Sequence, residues 1–229
     1  MGAAGGTGRP APAVLPPSLR LYLGLTAALA ALVVGALGAR YAGHGEPGRV
    51  DGWFVDPTAD SVRPPWRHAA LATDFLGETG GAAILLAAAV MGCLLLRLRR
   101  GAVLMVAATV LTVVTSTVLK LVVGRTIHGA TNLSYPSGHT AFLTAFALVV
   151  ALLAAGRLGL GRTAGTLLVL GAALVAGAAM GWAQVALGAH YPTDVLGGWC
   201  TALAVVPATA WLIDRMAGRA ANTRSLNKL

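Results

Sequence analysis

The sequence predicts an all-α membrane protein, a six-helix transmembrane bundle whose chemistry gathers at one membrane face. Three observations predict it. Of 229 residues, 56% are hydrophobic and 11% are charged, with a mean hydropathy of +0.74, whereas a soluble domain carries about 25% charged residues. The apolar residues come in runs close to the roughly 17–25 that a helix needs to cross a hydrocarbon core. The basic residues flank those runs instead of forming one face of a soluble surface.

Taken in order, residues 1–19 are rich in Gly, Ala and Pro without periodicity and are expected to form a disordered tail. The first run, Leu21–Ala39, is longer than a signal-peptide core and lacks a small-x-small cleavage site, so it reads as a retained span. Residues 41–67 form a loop in which Trp53, Phe54 and Trp66 suit a membrane interface. The stretch His68–Gly80 reads as an amphipathic interfacial helix, with Asp74 and Glu78 on one solvated face. Five further spans follow: Gly81–Leu96, Ala102–Val123, Thr140–Ala155, Thr163–Leu187 and Asp194–Ile213. All are too long for buried strands, and Gly and Ala run through them as close packing in lipid requires. From Ala217 the chain is polar and basic and is expected to be a loose tail, leaving one domain over residues 20–216. Cys93 and Cys200 fall inside spans with no metal-ligand spacing, and read as buried apolar residues.

Charge sets the orientation. With the N-terminus inside, eleven of the 17 Lys and Arg lie on inner segments and seven of the 8 acids on outer ones. That is the positive-inside pattern, with both termini cytoplasmic. The net charge of +9 therefore reads as attraction to anionic inner-leaflet lipid and not as a nucleic-acid surface. A plasma membrane, on compactness a prokaryotic one, is the expected location. Oligomeric state leaves no mark on the sequence.

By this topology three polar stretches meet at the outer face. Lys120 sits one turn inside the third span, where a charge is costly unless it meets an anion or a water-filled cavity. Tyr135-Pro136-Ser137-Gly138-His139 opens the fourth span, and the N–H groups and dipole of a helix start favour an anion. Gly138 lets backbone approach a ligand closely. Gly188-Ala189-His190-Tyr191-Pro192-Thr193-Asp194 opens the sixth. Asp194, four residues after His190, can accept from one imidazole nitrogen and leave the other free as a nucleophile. Together these residues describe a phosphate cradle beside an oriented histidine.

These residues resemble the type 2 phosphatidic acid phosphatase superfamily, which includes the vanadium haloperoxidases. Pro136-Ser137-Gly138-His139 matches its second motif in full, and His190-x-x-x-Asp194 matches the end of its third, over a likeness that covers roughly residues 66–213. Two departures stand out. The first motif has Arg-Pro seven and eight residues after its Lys, where this chain has Ile127 and His128 after Lys120. The third has Ser-Arg where this chain has Ala183-Gln184. The resemblance implies that His190 attacks phosphorus, Asp194 orients it, and His139 protonates the leaving oxygen and then activates water. It also implies that Lys120, Arg125, Ser137 and Gly138 hold phosphate, with Arg125 supplying one missing guanidinium and Gln184 a neutral hydrogen bond. No metal and no cofactor is expected.

The implied substrates are lipid phosphates in the bilayer: undecaprenyl diphosphate, phosphatidic acid or phosphatidylglycerol phosphate. A lipid phosphotransferase using the same phosphoenzyme, or a catalytically weak lipid-phosphate-binding member, would carry the same motifs.

Overall fold

The structure, a computed structural model, describes residues 13–58 and 62–226. Among the described residues eight α-helices follow one another: α1 Arg20–Tyr41, α2 Arg49–Thr58, α3 Trp66–Phe75, α4 Thr79–Leu95, α5 Arg99–Val123, α6 Gly138–Arg157, α7 Arg162–Ala186 and α8 Pro192–Leu226. Five of them (α1, α5, α6, α7 and α8) are long and apolar enough to cross a membrane. A sixth candidate crossing is a bent pair. With 17 residues α4 reaches only about 25 Å, and α3 precedes it across a 61° break. The chain is a multi-pass membrane protein.

Packing follows the small residues. The central helix α6 packs against α5, α7 and α8, and α1 lies along α8. Leu104, Met105, Leu148, Leu152, Val169 and Val206 interlock in the core. Leu21, Leu25, Leu29 and Leu32 of α1 point outward, each more than 60% exposed. That burial pattern would be ruinous in water and is ordinary for a helix facing lipid.

Both ends of the chain are more ordered than their composition predicts. Residues 1–12 lie outside the described part, but 13–19 are placed: Val14 and Leu15 are buried and their N–H groups donate to the two Asp214 oxygens at 2.9 and 3.0 Å. This docks residues 14–15 on α8 near Asp214. At the other end α8 runs to Leu226, through residues expected to be a loose tail. The stretch Met216-Ala217-Gly218-Arg219-Ala220-Ala221 is mostly good helix former, and an existing helix extends more easily than a new one starts.

Candidate active site

Local sequence builds the site from two connections. Between α5 and α6, Ile127 N–H donates to Asn132 O and Ser134 N–H to Arg125 O, closing a short hairpin-like loop. Between α7 and α8, the Ala189 N–H donates to the Gln184 carbonyl as α7 ends. His128 Nε2 donates to the Gly188 carbonyl at 2.7 Å, and Ser137 N–H to the Asp194 carbonyl at 2.9 Å, so the two connections are tied twice. A Cβ on Gly198 would lie 2.3 Å from the Ser137 carbonyl oxygen, and only glycine lets α8 come this close.

His190 is nearly buried, with Nδ1 3.7 Å from Asp194 Oδ2. This is longer than a hydrogen bond, and Nδ1 has no other partner; catalytic contacts commonly tighten only when substrate binds. Asp194 is wholly buried and firmly held: Oδ2 accepts from Tyr191 N–H at 3.0 Å and Oδ1 from Arg125 at 2.7 Å.

Arg125 is where the structure departs most from the sequence reading. It was expected to grip phosphate. It is instead 0% exposed, paired with Asp194 and with Asp51 Oδ2 at 2.7 Å, and it donates to Thr193 Oγ1 at 2.6 Å. The rings of Tyr41 and Tyr191 sandwich it, 4.0 and 4.7 Å from the guanidinium carbon. Both terminal nitrogens are turned to the two carboxylates, and Nε is buried without a hydrogen-bond partner among the described residues, so the guanidinium faces Asp51 and Asp194 and not open solvent. Burial also pushes the Tyr191 phenol above its ordinary value, with Arg125 pulling the other way. It stays neutral and donates to the Gly45 carbonyl at 3.3 Å.

His139 stands at the opposite wall, one-third exposed, with Nε2 3.6 Å from Asp74 Oδ1. The same Asp74 oxygen accepts from Gln184 Nε2. Gln184 therefore does not face a phosphate oxygen with its amide; it holds the carboxylate that faces His139. Gly77, in the bend between α3 and α4, brings backbone against the His139 ring, since a Cβ there would lie 2.5 Å from it. Asp74 is thus part of the site and not a solvated face.

Lys120 donates to the Leu133 carbonyl at 2.9 Å and, with Gly138 and His139, lines the polar end of a groove of about 540 Å³ between α4, α5 and α6. Nothing stands within 4 Å of a Cβ placed on Gly138, so its backbone is open to a ligand. Ser137 is buried instead, and its hydroxyl caps α6 by accepting from Thr140 N–H and Oγ1. The rest of the groove is mostly apolar: Ala83, Leu86, Val110, Val114 and Phe142. Among the described residues no three His, Cys, Asp or Glu side chains are grouped to hold a metal.

Lys120, His139, His190 and Asp194 therefore share one end of the bundle in the order that the motifs demand. The family model of the PAP2 superfamily matches residues 101–216, a little over half of the chain. The chain belongs to the PAP2 superfamily. This PAP2 protein also resembles in fold the crystal structure of a transmembrane PAP2-type phosphatidylglycerolphosphate phosphatase from Bacillus subtilis. The TM-score is 0.60 at 20% identity, over 87% of this chain and 96% of the other. No curated protein matches it.

Two carboxylates that the structure brings to these residues escaped the sequence reading. Asp74 carried a signal, an acid on an interfacial helix, that a solvated face explains equally well. Asp51 carried none: it lies 142 residues from Thr193, whose N–H and hydroxyl it accepts.

Proposed function

We propose that this PAP2 protein is a lipid phosphatase that works through a phosphohistidine on His190. The observation that supports this best is the groove. One end offers a lysine, an open glycine backbone and a histidine, and the remainder offers apolar walls along the membrane-spanning helices. A lipid phosphate matches both ends, with its head at Lys120 and its tail between α4, α5 and α6. Lys120 is the one lysine or arginine in that lining, so a phosphomonoester head is a better charge match than a diphosphate. Phosphatidic acid, whose head is a single phosphate, is thereby favoured over undecaprenyl diphosphate.

In the reaction, His190 Nε2 attacks phosphorus while Nδ1–H turns to Asp194, whose charge steadies the imidazolium. The P–O bond to the lipid breaks, and His139 gives its proton to the departing oxygen. His139 then takes a proton from water, which attacks phosphorus and frees His190. Lys120 and the Gly138 backbone stabilise the equatorial oxygens, where charge must be met in phosphoryl transfer. Asp74 orients His139 as Asp194 orients His190. The charge bias supports a topology with both termini in the cytoplasm and the site at the outer face of a plasma membrane.

Purified protein in detergent, given each lipid phosphate in the presence of EDTA, should release inorganic phosphate, and His190→Ala should release none. Lipid binding without turnover would leave a binding protein, and donor phosphate lost without free phosphate would indicate transfer to another acceptor.

A further inference from the structure

The bundle holds a second cavity, of about 520 Å³, at the end opposite the histidines. Nineteen residues of α5, roughly 28 Å of helix, separate Gly101 in its wall from Lys120 in the groove. The α4–α5 turn, the C-terminal end of α6 and the docked N-terminal segment form it. Among the described residues four arginines line it, Arg97, Arg99, Arg100 and Arg157, and no acidic side chain does. The described acid nearest in role, Asp214, has both oxygens occupied by the Val14 and Leu15 N–H groups. The floor is apolar: Val14, Leu98, Leu152 and Leu153.

The surroundings place this cavity at a membrane boundary. Leu95, Leu96, Val103 and Leu158 flank it and are each more than half exposed, as lipid-facing residues are. Arg97 adds an independent mark. It holds φ +59 in the tight turn between α4 and α5, a conformation that glycine takes freely and an L-residue takes at a cost. Arg97 nonetheless lines the cavity from that turn. A concave site with cations above and hydrocarbon below suits one chemistry, a negatively charged headgroup attached to acyl chains.

We propose that this cavity binds an anionic membrane phospholipid, its headgroup phosphate met by Arg97, Arg99 and Arg157 and its chains laid against Leu98, Leu152 and Leu153. The site is separate from the groove at Lys120 and binds lipid without turning it over. It needs no particular reading of the catalytic site.

The experiment uses the full chain in lipid nanodiscs, with thermal unfolding as readout. Replacing part of a phosphatidylcholine bilayer with phosphatidylglycerol should raise the unfolding temperature of the wild type. In the triple variant Arg97→Gln, Arg99→Gln, Arg157→Gln that rise should fall below half. Removing three charges elsewhere on the same face (Arg20→Gln, Arg215→Gln, Arg219→Gln) should leave most of it, as should Lys120→Ala. An undiminished rise in the first variant, or an equal loss in the second, would reduce the cavity to general surface charge. Loss in Lys120→Ala would move the lipid to the catalytic groove, and an equal rise with inorganic phosphate in pure phosphatidylcholine would make it a free-anion site. Any of these overturns the proposal. Should the first variant fail to fold, a photoactivatable phosphatidylglycerol on the wild type decides: adducts at residues 97–101 and 152–157 support the site, and adducts confined to other segments refute it.

Discussion

The two histidines of the site are built alike in outline and differently in strength. His190 faces a carboxylate that is wholly buried, compensated by Arg125 and fixed by a backbone N–H. His139 faces Asp74, which is 20% exposed, sits next to a helix break and is held by the neutral amide of Gln184. Arg125 brings Asp194 a full counter-charge and the site is wholly buried, whereas the Gln184 amide brings Asp74 no counter-charge and water reaches it, so the support of His190 is the stiffer of the two. The comparison separates roles. A nucleophile needs one fixed line of attack, whereas an acid that must later act as a base needs a proton-sharing partner and access to water.

Breaking the stiff half should have the largest effect. Arg125→Ala leaves Asp51 and Asp194 buried without a counter-charge, and losing one partner of such a pair costs roughly 3–5 kcal/mol. Thermal unfolding in detergent should fall steeply together with activity. Were Arg125 a phosphate ligand, turnover would fall while the unfolding temperature held. Asp194→Asn comes next, with kcat expected to drop on the order of a thousandfold, since a wrongly oriented imidazole has cost an analogous triad about ten thousandfold.

The softer half should respond more gently and more selectively. Asp74→Asn should lower kcat about ten- to a hundredfold, a part of the roughly hundred- to ten-thousandfold that general acid–base catalysis supplies because His139 itself remains, with little change in unfolding temperature. Its loss should shrink when the lipid alcohol is replaced by a nitrophenyl leaving group, which departs without a proton. An equal loss on both substrates would mean that Asp74 supports the fold and not the acid. The smallest effect is expected from Gln184→Ala: a loss of up to about tenfold in kcat, the low end of the roughly 1.5–3 kcal/mol of a hydrogen bond to a charged group, because water can reach the 20% exposed Asp74.

The membrane spans were legible in the sequence because hydropathy and length are local properties. Ser137, Gly138 and His139 were legible as a helix start, and His190 with Asp194 as a one-turn pair. Pairings that cross the chain were not legible. Arg125 looked like a phosphate ligand because it follows Lys120 closely, yet its neighbours Asp51 and Thr193 lie 74 and 68 residues away. Asp74 meets Gln184 across 110 residues, and no periodicity reports such a contact. The order of residues 13–19 likewise depends on Asp214, which is two hundred residues distant from Val14.

The central claim is that His190 carries the phosphoryl group between two histidine–carboxylate pairs. Rapid acid-free quenching of the enzyme with a radiolabelled lipid phosphate tests it most directly, followed by mapping of the labelled peptide. The account predicts an acid-labile, base-stable label on His190, absent in His190→Ala and longer-lived in His139→Ala, which cannot activate water. Label on another residue, or phosphate released at full rate by His190→Ala, would contradict it.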